Sequence, residues 1–119
     1  MDYISIFDYL DYRAFLKDAL ARLKEADHSN NYRQIALKVG LGSIGHITWI
    51  LQGKRNLTLK NVDKFSELFG LNKKEDAYFK LLVPYTNTKK HSEKLELFEK
   101  IVKAQKSEQR IITKEEIAY

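Results

Sequence analysis

The apolar residues of this chain recur at spacings of three and four, in runs closed by small or polar stops. From Asp8 to Lys24 they are Tyr9, Leu10, Tyr12, Phe15, Leu16, Ala19, Leu20 and Leu23, a wide stripe along one helix. Asn31 is placed to cap a second helix, with Gln34 three residues on as in a capping box. Ile35, Ala36 and Val39 form its inner face and Gly40 its left-handed stop. A third helix is expected from Ser43 to Leu51, with Ile47, Ile50 and Leu51 inward and Gly53 at its end. Thr58 caps a fourth, in which Val62, Phe65, Leu68 and Phe69 face the core before Gly70. Asn72 caps a fifth, with Ala77, Tyr78, Leu81 and Leu82 inward and Pro84, the only proline, near its end. After a polar stretch from Thr86 to Lys90, a sixth turns Leu95, Phe98, Ile101 and Val102 inward. Thr113 and Glu116 have capping-box spacing and would open a short further helix. No run alternates over enough residues to make a strand. The expectation is an all-α chain, a compact bundle of five or six helices.

At 119 residues there is room for one modest core. No apolar run is long enough to span a bilayer, so no membrane partner is expected. The N-terminal MDYISIFDYLDY carries three aspartates and no basic residue, unlike a signal peptide. The absence of cysteine removes disulfides and thiolate metal sites and fits a cytoplasmic protein. The net charge of +5 is unevenly spread. Residues 31–65 hold Arg33, Lys38, Lys54, Arg55, Lys60 and Lys64 against the single acid Asp63, whereas residues 1–30 hold four basic and six acidic side chains. A basic excess in one segment suits a polyanionic partner; it is also what a solvated basic surface looks like.

That segment contains a test case. Gly40, Gly42 and Gly45 spell Gly-x-Gly-x-x-Gly, the nominal dinucleotide fingerprint, and Asp63 follows where a ribose-binding acid could sit. The fingerprint works only between a strand and a helix, where the pyrophosphate meets the helix N-terminus. Here the preceding residues, YRQIALKV, have helical spacing. Nor is Gly53-Lys54-Arg55 a phosphate loop: Thr48 stands five residues before Gly53, and Arg55 replaces the required Ser or Thr. Acidic pairs such as Glu75-Asp76 and Glu115-Glu116 are adjacent in sequence and cannot face one another across a pocket. His28, His46 and His91 lack ligand spacing. No cofactor, metal or catalytic group is expected, and the chain is not read as an enzyme.

A helix-turn-helix explains the glycines better. Two short helices crossing over a tight turn need glycine where the chain turns left-handed and a small residue where the helices meet. Gly40, Gly42 and Ala36 supply these, and Ile47 and Ile50 anchor the second helix. Its outer face then shows Ser43, Gly45, His46, Thr48, Trp49 and Gln52, with no charged residue from Leu41 to Gln52. An uncharged helix bracketed by Lys38 on one side and Lys54-Arg55 on the other suits a groove between phosphates.

Residues 32–71, YRQIALKVGLGSIGHITWILQGKRNLTLKNVDKFSELFGL, resemble the phage-repressor-like (XRE-type) helix-turn-helix domain. The resemblance rests on Ala36, the turn Gly40, the anchors Ile47 and Ile50, the loop Gly53-Lys54-Arg55 and the step Leu68-Phe69-Gly70-Leu71. More closely, GKRNL followed by DKFSELFGL and EDAYFKLLV is similar to a bacterial group of regulators in which the domain is followed by a longer C-terminal region. The spacing from Gly40 to Ile47 departs from the common pattern by one extra residue, which re-aims the second helix.

The resemblance implies sequence-specific binding to duplex DNA by a transcriptional regulator, with a recognition helix at about 43–52 in the major groove. Ser43, Gly45, His46 and Trp49 would face base edges, and Tyr32, Arg33, Lys54, Arg55, Asn56 and Lys60 would hold phosphates, with Asn61 beside them. Each has a plainer alternative: Tyr32 as a half-buried staple, Arg33 as a solvated charge, Trp49 as a core aromatic. Residues 1–85 would form the DNA-binding domain and residues 86–119 a helical extension. That extension would dimerise the chain, link it to an effector region absent here, or simply pack on the first helix. A homodimer is expected, because one module buries limited surface and paired half-sites about 34 Å apart multiply affinity. The alternative is a protein–protein interaction module on the same scaffold, without DNA binding.

Overall fold

The computed structural model describes the backbone of residues 4–117 and the side chains of residues 4–108. A 3-10 turn at Ile6–Asp8 leads into six helices: α1 Tyr12–Ala26, α2 Tyr32–Val39, α3 Ile44–Leu51, α4 Leu59–Phe69, α5 Lys73–Asn87 and α6 His91–Ile117. The described residues contain no strand, so the class is all-α. The Gly-x-Gly-x-x-Gly stretch therefore joins two helices, and a dinucleotide turn has no strand to start from.

The caps follow the sequence. The side chain of Asn31 accepts the Gln34 N–H at 3.0 Å and that of Thr58 the Asn61 N–H at 3.3 Å. Asn72 and Glu75 exchange both bonds of a full capping box, each at 2.9 Å. Gln34 returns no such bond. Ser43, at the start of α3, caps nothing with its side chain. Gly40 ends α2 at φ 78°, and the Leu41 N–H reaches back to the Ala36 carbonyl at 2.8 Å, the 6→1 bond of a Schellman motif. Gly70 ends α4 in the same way, with Leu71 bonded to Ser66.

One core joins all six helices. Tyr12, Phe15, Leu16, Ala19 and Leu20 of α1 are buried in it with Ile35, Ala36 and Val39 of α2, Ile47 and Ile50 of α3, and Val62 and Phe65 of α4. Phe15 sets its ring edge-on between Phe69 and Phe79, with centroids 5.7 and 5.6 Å away. The fifth helix departs from expectation. Phe79 and Val83 are buried beside Tyr78 and Leu82, Ala77 is exposed, and Leu81 is only half-buried. The sixth departs further: among its described side chains Ile101 alone is fully buried, while Leu95 and Phe98, expected inward, are exposed. Nor does α6 lie over α1. It packs on α5 and on the Ile6–Asp8 turn, where the Gln105 amide donates to the Phe7 carbonyl at 3.1 Å and to the Tyr78 hydroxyl at 3.2 Å. Burial pushes that hydroxyl up to about 12, so it stays a donor, and it reaches the Tyr9 carbonyl at 2.6 Å. The backbone of α6 continues through Ile117, so no new helix opens at Thr113; the side chains of Thr113 and Glu116 lie outside the described residues. The expected boundary after residue 85 falls within the last turn of α5.

Candidate nucleic-acid interface

The turn from Gly40 to Ser43 brings the start of α2 beside the start of α3. Arg33, Leu37, Ser43, Ile44 and Gly45 line one hollow there. On the other flank of α3, His46, Arg55, Asn56, Thr58 and Asn61 line a second. Nine of the ten residues singled out as contacts thus lie on or beside α3 or at the start of α2. Lys60 stands apart on the first turn of α4, exposed.

Each side chain has a defined setting. The Gly42 N–H donates to Nδ1 of His46 at 3.2 Å. That bond requires Nδ1 to be an acceptor and leaves Nε2 as the free position of the ring. Trp49 is 43% exposed, so it is no core residue. The His46 ring meets it edge-on, with centroids 6.0 Å apart, and the Arg55 guanidinium lies 5.6 Å from its ring centroid. Ser43 is exposed and its hydroxyl makes no hydrogen bond among the described residues, and an added Cβ at Gly45 would meet nothing closer than the Ser43 Oγ at 3.6 Å. Tyr32 is half-buried against the core, as a staple would be. Its backbone N–H and that of Arg33 have no acceptor among the described residues. Asn61 is occupied within the fold: its Nδ2 donates to the Val39 carbonyl at 3.3 Å and its Oδ1 accepts from Thr58.

The electrostatics favour an anion. Asp63, the one acid of residues 31–65, is turned away into an ion pair with Lys80, 2.9 Å from its Nζ, and Lys80 also holds Asp76 at 2.9 Å. Burial raises the Asp76 carboxyl, and hydrogen bonds from Ser66 and Lys80 overcome that and leave it below the usual carboxylate range. Among the described residues, Arg33, Lys54, Arg55 and Lys60 have no carboxylate within 4.0 Å.

One residue of this region carries no signal in the sequence. Arg13, near the start of α1, donates from Nε to the Ile50 carbonyl at 2.8 Å, and from one terminal nitrogen to the Arg55 carbonyl at 3.2 Å and Asn56 Oδ1 at 3.0 Å. It ties off the end of α3 and fixes the loop that carries Lys54 and Arg55. Next to it the Tyr12 hydroxyl, fully buried, accepts the Leu57 N–H at 3.2 Å. The fork geometry needs arginine. Arg13→Lys keeps the charge and should still lower stability by about 1–3 kcal/mol, with a matching fall in anion affinity. Urea unfolding and a binding titration check this; full rescue by lysine would mean that Arg13 acts only as a charge.

The described residues contain no group of His, Cys, Asp and Glu that could hold a metal ion, and no helix long and apolar enough to cross a membrane. No family model, curated protein or solved structure matches the chain.

Proposed function

We propose that this chain binds duplex DNA as a sequence-specific transcriptional regulator, with α2, the Gly40–Ser43 turn and α3 acting as a helix-turn-helix and α3 entering the major groove. One observation carries the proposal: the solvent face of α3 bears no charge, and it lies between Arg33 on one flank and, on the other, the Lys54-Arg55 loop, which has no carboxylate partner among the described residues. A solvated helix is ordinarily rich in Lys and Glu. An uncharged helix between two cationic walls matches a base-lined groove between two phosphate rows.

On this basis Ser43 and His46 read base edges, with Nε2 of His46 able to donate to guanine O6 or N7. Gly45 lets the helix approach closely, and Trp49 contacts a thymine methyl or a sugar. Arg33, Lys54, Arg55, Asn56 and Lys60 hold phosphates, together with the free N–H groups at Tyr32 and Arg33. The active species is a homodimer on paired half-sites.

A second reading has its own support. Leu37 is 70% and Ile44 42% exposed, and both line the hollow beside Arg33. Exposed apolar side chains of this kind would suit a protein partner.

Trp49 is the only tryptophan, and it sits at the proposed interface. Titration with a random-sequence duplex should therefore shift or quench the intrinsic emission in parallel with anisotropy of the labelled DNA. Binding that leaves the emission untouched would remove α3 from the contact surface.

A further inference from the structure

A hollow of about 300 Å³ opens where α1 meets the N-terminal turn and the junction of α4 with α5. Its wall is apolar, with Ile6, Phe15, Leu23, Phe69 and Leu71 as the large side chains. The volume is at the small end of ligand sites, and apolar walls with a few polar groups are their usual make-up. Two polar side chains, Arg22 and Glu75, complete the lining, both half-buried. No lining residue belongs to α2 or α3, so the hollow is separate from the proposed DNA-binding surface.

The two charges are opposite, yet they form no ion pair with each other. Among the described residues Arg22 has no carboxylate within 4.0 Å. Asp18, one turn earlier on α1, accepts the Tyr9 hydroxyl at 2.6 Å instead. Glu75 gives Oε1 to the Asn72 N–H at 2.9 Å, and its other oxygen accepts no hydrogen bond among the described residues. The hollow therefore presents a fork of donors, a carboxylate oxygen and an apolar wall, each separately. A fatty acid would meet Arg22 and leave its carboxylate beside Glu75. An apolar amine would meet Glu75 and leave its cation beside Arg22. A molecule with both charges at one end of an apolar body answers both groups.

We infer that this hollow is a binding site for a free α-amino acid with a large apolar side chain. The carboxylate of the ligand lies on the Arg22 guanidinium, its ammonium on the open oxygen of Glu75, and its side chain against Phe15, Leu23 and Phe69. The apolar wall supplies most of the affinity, and the two charges supply the choice of ligand. The inference rests neither on DNA binding nor on the homodimer, so a chain that fails to bind DNA leaves it standing.

Titration of the ¹⁵N-labelled full chain with L-phenylalanine, followed by amide chemical shifts, tests it. For a ligand of about a dozen heavy atoms the Kd should be on the order of 0.1–1 mM. The shifts should centre on residues 19–26 and 69–75, which hold most of the lining. Phenylalanine amide lacks the carboxylate and N-acetylphenylalanine lacks the ammonium; each should bind about tenfold more weakly or worse. Arg22→Gln should erase the preference over the amide. Glu75→Gln keeps the cap of α5, since glutamine serves in a capping box, and should erase the preference over the N-acetyl compound. These preferences are ratios within one protein, so a loss of folding cannot imitate them. Ala26→Trp, at an exposed lining position, should block the hollow with little change in melting. Absence of shifts at the lining residues would overturn the site. Equal affinity of the wild type for all three compounds, or unchanged preferences in the glutamine variants, would overturn the assignment of the two charges.

Discussion

Lys54→Glu/Arg55→Glu is expected to lower affinity for random-sequence duplex DNA on the order of a hundredfold near physiological salt. The variant removes two cations and adds two anions where α3 meets its flanking loop. Both side chains are exposed, and neither has a carboxylate partner among the described residues. The backbone of the loop is held instead by Arg13 and by the bonds of Lys54 and Arg55 N–H to the Trp49 carbonyl, at 2.8 and 3.2 Å. The fold should therefore survive, and thermal melting should move little, as for most surface substitutions. Anisotropy with a labelled duplex measures the first effect and circular dichroism the second. An interaction module with no DNA role would show equal, weak anisotropy for both proteins. The Arg55 guanidinium also leaves the Trp49 ring in this variant, so the emission spectrum gives an internal check that the loop has changed locally.

The largest effect on stability is expected at Phe79. It is fully buried and packs edge-on against Phe15, where α1 and α5 meet. Phe79→Ala should cost about 3–5 kcal/mol, the transfer of a ring plus the cavity left behind. That is a large share of the total stability of a small domain, about 5–15 kcal/mol. The companion is Ala77→Glu, two residues earlier and on the exposed side of α5, expected to stay within about 0.5 kcal/mol. Urea unfolding of both variants decides which face of α5 is buried. A cheap Phe79→Ala with a costly Ala77→Glu would mean that α5 is rotated.

The contrast between those two residues shows how far the sequence could be read. Local signals were legible because they are short-range chemistry: the Asn31, Thr58 and Asn72 caps, the Gly40 and Gly70 stops, and the wide apolar stripe of α1. The periodicity of α5 was legible too, but its phase was not. Ala77, Tyr78, Leu81 and Leu82 make as good a stripe as Tyr78, Phe79, Leu82 and Val83, and α5 is decided by neighbours on several sides, α1, α4, α6 and the Ile6–Asp8 turn. In α6 the same spacing that marks a core face marks Leu95 and Phe98, which the fold leaves outside; periodicity does not say what covers a stripe. Arg13 was invisible for a different reason. Its acceptors lie 37 to 43 residues away in the chain, and an arginine in the first turn of an amphipathic helix looks like any solvated charge. The candidate contacts around α3 were legible as a group, because the turn that joins them is local. Asn61 was misread within that group: an exposed-looking amide next to basic residues turned out to bond the Val39 carbonyl.

Duplex DNA binding is the central claim, and salt dependence tests it most directly. Anisotropy of a labelled random-sequence duplex with the wild-type chain, stepped from about 50 to 200 mM salt, should show affinity falling on the order of a thousandfold, as counterion release from six or more phosphate contacts requires. Absence of binding at the lowest salt, or an affinity indifferent to salt, would contradict it and leave the exposed apolar residues beside α3 to a protein partner.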